Sequence, residues 1–304
     1  MPDRKTPTDA DINALDITPG EAAQINRIAH PLAVGGDAEF NLESGPVLLD
    51  ASPSGVAFVT INRPEKKNAF DAATVAALTQ AFETLHGADH VRVLFVRGAG
   101  GFFCAGADLD WMAQSVDWSE SDNREDAMAL ARMLKALHDV PALTVAVVEG
   151  AAMGGGAGIV AACDMAVAVR DAKFAFSEVR LGLIPATIAP YVVEAVGARR
   201  ARALFGTAAL FTAEHAEKIG LIDNILPDAG KISGFIDALS QTMTACAPGA
   251  VGDAKRLVHA VAHHRIDHGL MEDTARRIAR ARVSTEGQEG VRAFLAKRKP
   301  NWAE

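Results

Sequence analysis

Apolar positions in this chain fall into short continuous runs separated by amphipathic stretches. VLLDASPSGVAFVTIN opens the pattern: two β-rich runs flank Ser52-Pro53-Ser54-Gly55, a turn sequence that predicts a hairpin. Asp71 then stands as an N-cap ahead of Val75, Leu78, Phe82 and Leu85, whose helical spacing predicts a helix to about His86. VRVLFVRG (residues 91–98), LTVAVVEG (143–150) and MAVAVR (165–170) read as strands buried on both faces. A helix is expected from about Ser121 to His138. From about Ala189 the pattern is mostly helical. AEHAEKIGLIDNILP predicts a helix, a stop at Gly220 and a short strand, and APGAVGDAKRLVHAVAHH and EGVRAFLAKRKPNW predict two more helices. Strands alternating with helices predict an α/β domain with parallel pairing.

Residues 1–45 differ from the rest. They are polar and acidic, with Pro2, Pro7, Pro19, Pro31 and a Gly35-Gly36 pair, and they read as an appended, partly disordered arm with a short helix at 20–29. A core at 46–235 and a helical region at 236–304 follow. Across 304 residues, 49% are apolar and 22% charged, ordinary for a globular protein. A net charge of −8 argues against a nucleic-acid binder. The cysteines Cys104, Cys163 and Cys246 are odd in number and lack CxxC spacing, which fits a reducing, cytoplasmic setting. No apolar run reaches the roughly 18 residues of a membrane span.

The chemistry centres on turns. In VAVVEGAAMGGGAGIVAACD a buried strand gives way to a helix near Gly155 through three consecutive glycines. The first amides of a helix have no internal acceptor, and glycine lets a ligand atom approach them. Such a turn binds phosphate or an oxyanion, or it only packs helix against strand; the sequence leaves both open. GxGxxG spacing is absent, so a dinucleotide site is disfavoured. GFFCAGADL makes a second such turn, in which the Ala107 amide is a candidate donor and Asp108 a helix cap. In AKFAFSEVRLGLIPA, Glu178 is flanked by Phe174, Phe176, Val179, Leu181 and Leu183, and desolvation there would raise its pKa. Arg180, two residues on, shares a face with Glu178 if the segment is a strand. Cys104 and Cys163 have no nearby His to activate them, and His263, His264 and His268 lack metal-ligand partners, so neither nucleophilic nor metal chemistry is expected.

INRPEKKNAF, GFFCAGADL, EGAAMGGGAGIVAACD, AKFAFSEVRLGLIPA and EGVRAFLAKRKPNW, in this order over residues 46–302, together resemble the crotonase (enoyl-CoA hydratase/isomerase) superfamily. The resemblance implies a spiral of ββα units with a C-terminal helical trimerisation region, a homotrimer or dimer of trimers, and an acyl-CoA thioester substrate in fatty acid or branched amino acid catabolism. It implies neither metal nor redox cofactor, coenzyme A being part of the substrate; from charge and hydropathy, neither nucleic-acid nor membrane partners are expected. It places oxyanion-hole amides at Ala107 and Gly155, and the acid/base at Glu178. Contacts to CoA fall on Arg63, Ala105, Asp108, Leu109, Phe294 and Lys297, and the acyl pocket on Trp111, Met112, Gly158 and Arg180.

One position departs from the family. Hydratases of this kind hold water with two glutamates, and Gly158 stands where the first belongs. Three readings follow. The motifs are most similar to the methylglutaconyl-CoA/carboxygeranoyl-CoA hydratase-like branch, with Glu178 as main acid/base, Arg180 as a partner for a substrate carboxylate, and hydration of a branched or carboxylated 2-enoyl-CoA. A Δ3-Δ2-enoyl-CoA isomerase needs only one glutamate. A non-catalytic acyl-CoA binder needs none.

Overall fold

The computed structural model describes residues 40–42 and 44–303. The predicted arm, with its helix at 20–29, lies outside the described residues except near its end. There β1 (Phe40–Leu42) pairs antiparallel with β2 (Val47–Ala51), so the sheet begins inside the segment read as an appendage. β2 and β3 (Val56–Ile61) form the expected hairpin, closed by a hydrogen bond from the Gly55 amide to the Ser52 carbonyl.

The chain then winds through repeated strand, strand and helix units. α1 (Ala72–His86) starts where the Asp71 carboxylate accepts from the Thr74 amide, and it leads to β4 (Val93–Gly98). α2 (Leu109–Ser115) and α3 (Glu120–His138) follow, the latter opened by a capping box between Ser119 and Asp122. After β5 (Leu143–Val148) comes a short β6 (Ala151–Met153), then α4 (Gly155–Ala162). β7 (Met165–Val169) is likewise followed by a short β8 (Lys173–Ala175). Next come α5 (Ala189–Val196), α6 (Ala198–Thr207), β9 (Phe211–Thr212) and α7 (Ala213–Ile219), the last stopped by Gly220 in a left-handed cap. β10 (Asn224–Leu226) completes the main sheet, whose order is β1-β2-β3-β4-β5-β7-β10, parallel from β3 onward. The short strands form a second sheet, β6-β8-β9, which Cys104 extends through a bridge to Ala152. Each coil thus lays one long strand in the main sheet and one short strand beside it.

The continuous apolar runs are explained by burial on two faces. Along β3, β4 and β5, Ala57, Val59, Leu94, Val96, Ala146 and Val148 face one core, packed by α1, α3 and α4. The alternate residues Val56, Phe58, Val93, Phe95, Val145 and Val147 face another. That second core is covered by α8 (Ile232–Thr244), through Ile236 and Met243. α9 (Pro248–Val261), α10 (His268–Val283) and α11 (Thr285–Leu295) follow. His263 and His264 lie in the turn after α9, outside the helix expected there, and His268 opens α10.

Candidate active site

The predicted chemistry converges on one cavity of about 280 Å³. Its walls include Phe70, Ala107, Trp111, Met112, Asp126, Gly155, Glu178 and Ile188. These residues come from successive coils of the spiral, brought together because the parallel strands end on one side. Ala107 follows β4, Gly155 follows β5 and β6, and Glu178 follows β7 and β8.

The two turns are tied directly. The Phe70 amide donates to the Gly106 carbonyl and the Asp108 amide to the Phe70 carbonyl, which clamps the Ala107 turn from both sides. The amides of Met153 and Cys104 reach across to the Cys104 and Ala151 carbonyls, joining that turn to the glycine-rich one. Gly154 caps α4 at φ +49°, a conformation in which glycine is favoured. A Cβ on Gly155 would lie 2.4 Å from Phe70 Cζ, so only glycine lets the first amide of α4 lie against that ring. Among the described residues, neither the Ala107 nor the Gly155 amide has a protein acceptor.

Glu178 is not on a strand. It opens a 3-10 turn, Glu178–Leu181, closed by Gly182 in the left-handed region. Its Oε1 lies close enough to Gly154 that a Cβ there would approach it to 3.2 Å. Its Oε2 is buried without a hydrogen-bond partner. Burial holds the carboxyl above the ordinary carboxylate range, partly offset by its own backbone amide. Of the apolar neighbours expected around it, Phe174 and Phe176 are buried, while Val179, Leu181 and Leu183 are exposed.

The turn also separates Arg180 from Glu178: Arg180 is exposed and does not line the cavity, contrary to the shared face a strand would give. Gly158 does not line it either. A Cβ at Gly158 would lie 2.2 Å from Ile188 Cγ2 and 2.7 Å from Ile188 Cβ, so the place where the resemblance expects a glutamate is filled by a buried isoleucine. Trp111 and Met112 do form cavity wall, as expected.

Arg63 and Asp108, expected at CoA, are spent inside the protein. The Arg63 guanidinium meets Asp108 at 3.0 Å, Asp71 at 3.2 Å and the Ala69 carbonyl. Asp108 is buried, caps α2 through the Asp110 amide, and is held below its ordinary pKa by these partners against the opposing effect of burial. Ala105 donates its amide to the Lys67 carbonyl, and Leu109 is exposed. Phe294 and Lys297 are exposed near the end of α11 and do not line the cavity. Desolvation pushes the buried Cys104 thiol up to about 12 and raises that of the half-buried Cys163 as well.

Several cavity residues escaped the sequence reading, one of them a carboxylate. Asp126, on α3, faces the same space as Glu178. Its signal is a carboxylate on an otherwise apolar stripe, four residues before Leu130 and seven before Met133. Burial raises its pKa, opposed by the nearby indole N–H of Trp111. Trp111 Nε1 is itself buried without a partner at full hydrogen-bond geometry, so the two groups approach without closing a bond.

Comparison with known proteins gives the same answer as the geometry. Residues 51–304 match the Enoyl-CoA hydratase/isomerase family. Enoyl-CoA hydratase EchA19 of Mycobacterium tuberculosis is 32% identical over 269 residues, covering 86% of this chain and 98% of its own. The 1,2-epoxyphenylacetyl-CoA isomerase of Escherichia coli is 31% identical over 263 residues, covering 84% and 97%. The structure of Pseudomonas aeruginosa AtuE superposes with a TM-score of 0.82 at 37% identity, covering 86% of this chain and all of AtuE. A spiral α/β core with a helical C-terminal region, two free turn amides beside a desolvated glutamate, and a family match over nearly all of the described chain lead to one conclusion: this protein is an enzyme of the enoyl-CoA hydratase/isomerase family, within the crotonase superfamily.

Proposed function

We propose that the protein hydrates a 2-enoyl-CoA thioester, or dehydrates the corresponding 3-hydroxyacyl-CoA. The observation that carries the reading is the pair of unpartnered amides, Ala107 and Gly155, on the same cavity as a desolvated Glu178. The thioester oxygen accepts from both amides, so negative charge that develops on it during addition is held by fixed dipoles. One such donor is worth about 2.7–4 kcal/mol in the transition state. Glu178, whose burial favours the protonated form, delivers the proton to C2.

The acyl chain that suits this cavity is uncharged. Its walls carry two carboxylic acids, Glu178 and Asp126, and no basic residue. Arg180, read as a possible partner for a substrate carboxylate, is exposed outside it. Isomerisation of a 3-enoyl-CoA is the second reading, favoured by Gly158, because moving a proton between C2 and C4 needs one base. We also propose a homo-oligomer. Met271, Ile278 and Val283 on α10, with Val291, Phe294 and Leu295 on α11, are exposed apolar side chains on neighbouring helices, and α10 buries none of its residues within the chain.

The test is loss of enoyl-thioester absorbance with crotonyl-CoA, run beside a 3-enoyl-CoA isomerase assay and with Glu178→Gln. Hydration that drops by roughly 10²-fold or more in the variant supports the reading. Isomerisation without hydration in the wild type would replace it with the second. Tight thioester binding with neither activity would leave a binding protein.

A further inference from the structure

Hydration adds one proton at C2 and removes one from water, and two carboxyl groups can divide that work. The side chain that would stand at Gly158 is absent and Ile188 occupies its space. The same cavity nevertheless holds a second carboxylate. Asp126 comes from α3, an element that contributes none of the motif residues, and it lines the cavity together with Glu178, Ala107 and Gly155. It also lines an adjoining cavity of about 290 Å³ between α1 and α3, with Trp111 shared by both. Asp126 therefore stands where the two spaces meet.

Both acids face the same space: Glu178 Oε1 lies close to Gly154, the residue before the Gly155 amide, and Asp126 stands where this cavity meets the adjoining one. Resting on the hydratase reading above, we propose that Asp126 is the second catalytic carboxylate of this enzyme and accepts the proton of the water that attacks C3.

The step balances without any further reagent. A water O–H bond breaks, its proton passes to ionised Asp126, and its oxygen bonds to C3. The C2–C3 π pair shifts toward the thioester held by Ala107 and Gly155, and C2 takes the proton of neutral Glu178. The enzyme is left with Asp126 protonated and Glu178 ionised. The proton returns from one to the other through solvent once product leaves, so the net change is addition of one water. Trp111 fits this role by presenting its buried indole N–H toward Asp126, favouring the ionised form that burial alone opposes.

The experiment compares wild type, Asp126→Asn and Asp126→Glu in three assays: hydration of crotonyl-CoA, isomerisation of a 3-enoyl-CoA, and exchange of the C2 protons of butyryl-CoA with D2O. Exchange needs only the oxyanion donors and Glu178, so it also reports whether each variant has folded its site. Asp126→Asn is expected to lower hydration kcat by roughly 10²-fold or more with KM within about threefold. Exchange should persist, and Asp126→Glu should recover part of the lost rate. The acid limb of the wild-type kcat/KM profile, set by ionisation of Asp126, should vanish in Asp126→Asn while the alkaline limb set by Glu178 remains. Hydration within about threefold of wild type in Asp126→Asn would overturn the proposal and leave the hydratase reading standing. So would loss of exchange and hydration in equal proportion in both variants, which marks a structural role. A wild type that exchanges C2 protons but hydrates no enoyl-CoA removes the hydratase reading itself, and the proposal with it.

Discussion

Gly158→Ala gives the sharpest test of why the first glutamate is missing, because two effects predict opposite signs. Gly158 lies inside α4. Replacing a helix-interior glycine with alanine ordinarily stabilises by about 0.5–1 kcal/mol, through backbone entropy. Here the new methyl would sit 2.2 Å from Ile188 Cγ2 and 2.7 Å from Ile188 Cβ. Rotating the isoleucine relieves only the first contact, since the Cβ moves only with the backbone, and Ile188 is just 2% exposed. Overpacking of this kind costs about 1–3 kcal/mol, which exceeds the entropic gain, so Gly158→Ala should be less stable than wild type. Ile188→Gly should itself destabilise by about 2–5 kcal/mol through the cavity it leaves. In the double variant the clash is gone, and its loss should fall short of the sum of the singles by at least about 1 kcal/mol. Urea unfolding at one fixed protomer concentration measures all four corners, provided the m-values agree. A Gly158→Ala protein more stable than wild type, or a strictly additive cycle, would refute the claim that Ile188 fills the glutamate's place.

Glu178→Gln should trade activity for stability. Its folded pKa lies above the ordinary 4.5, so the native state binds the proton more tightly than the unfolded chain, and stability falls as pH rises through the window between the two values. Glutamine has no such penalty: chemical unfolding should find the variant more stable at neutral pH, an advantage that fades toward pH 4.5. Arg63→Ala should destabilise by less than the about 3–5 kcal/mol of a fully stranded buried charge, since Asp108 keeps Lys66 at 3.9 Å and the Asp110 amide; an unchanged unfolding midpoint with a raised KM would show that Arg63 serves CoA instead. Under native conditions an alkylating agent followed by mass spectrometry should label Cys246 well before Cys104 and Cys163, whose thiols burial pushes up.

Where periodicity reports burial, the chain could be read directly. β4, β5 and β7 are largely buried on both faces, so apart from Arg97 and Thr144 they are apolar, and α1 and α3 carry an apolar stripe behind a capping residue, broken in α3 by Asp126. Where position is set by partners distant in sequence, reading failed. Leu181 and Leu183 look like core residues and are exposed, because the Gly182 cap turns the segment outward. Arg63, in a loop associated with CoA, is drawn inward by Asp71 and Asp108, one of them 45 residues away. Nothing local in either stretch announces such a partner.

The same distinction runs through the site. Parallel strands in one sheet point their C-terminal ends the same way, and ligands gather at such ends. β4, β5 and β7 are parallel neighbours, so the turns that follow them lie side by side; the sequence shows the turns, and the family resemblance is what groups Ala107, Gly155 and Glu178 before the sheet is known. Asp126 follows no strand. It enters the cavity from the flank of a helix that crosses over it, and the register of that helix depends on how Met133, Leu134 and Leu137 pack against the core. A carboxylate recruited in that way is free to differ between relatives that share every turn motif. A missing glutamate at Gly158 therefore carries little information about the reaction until the wall opposite it is known.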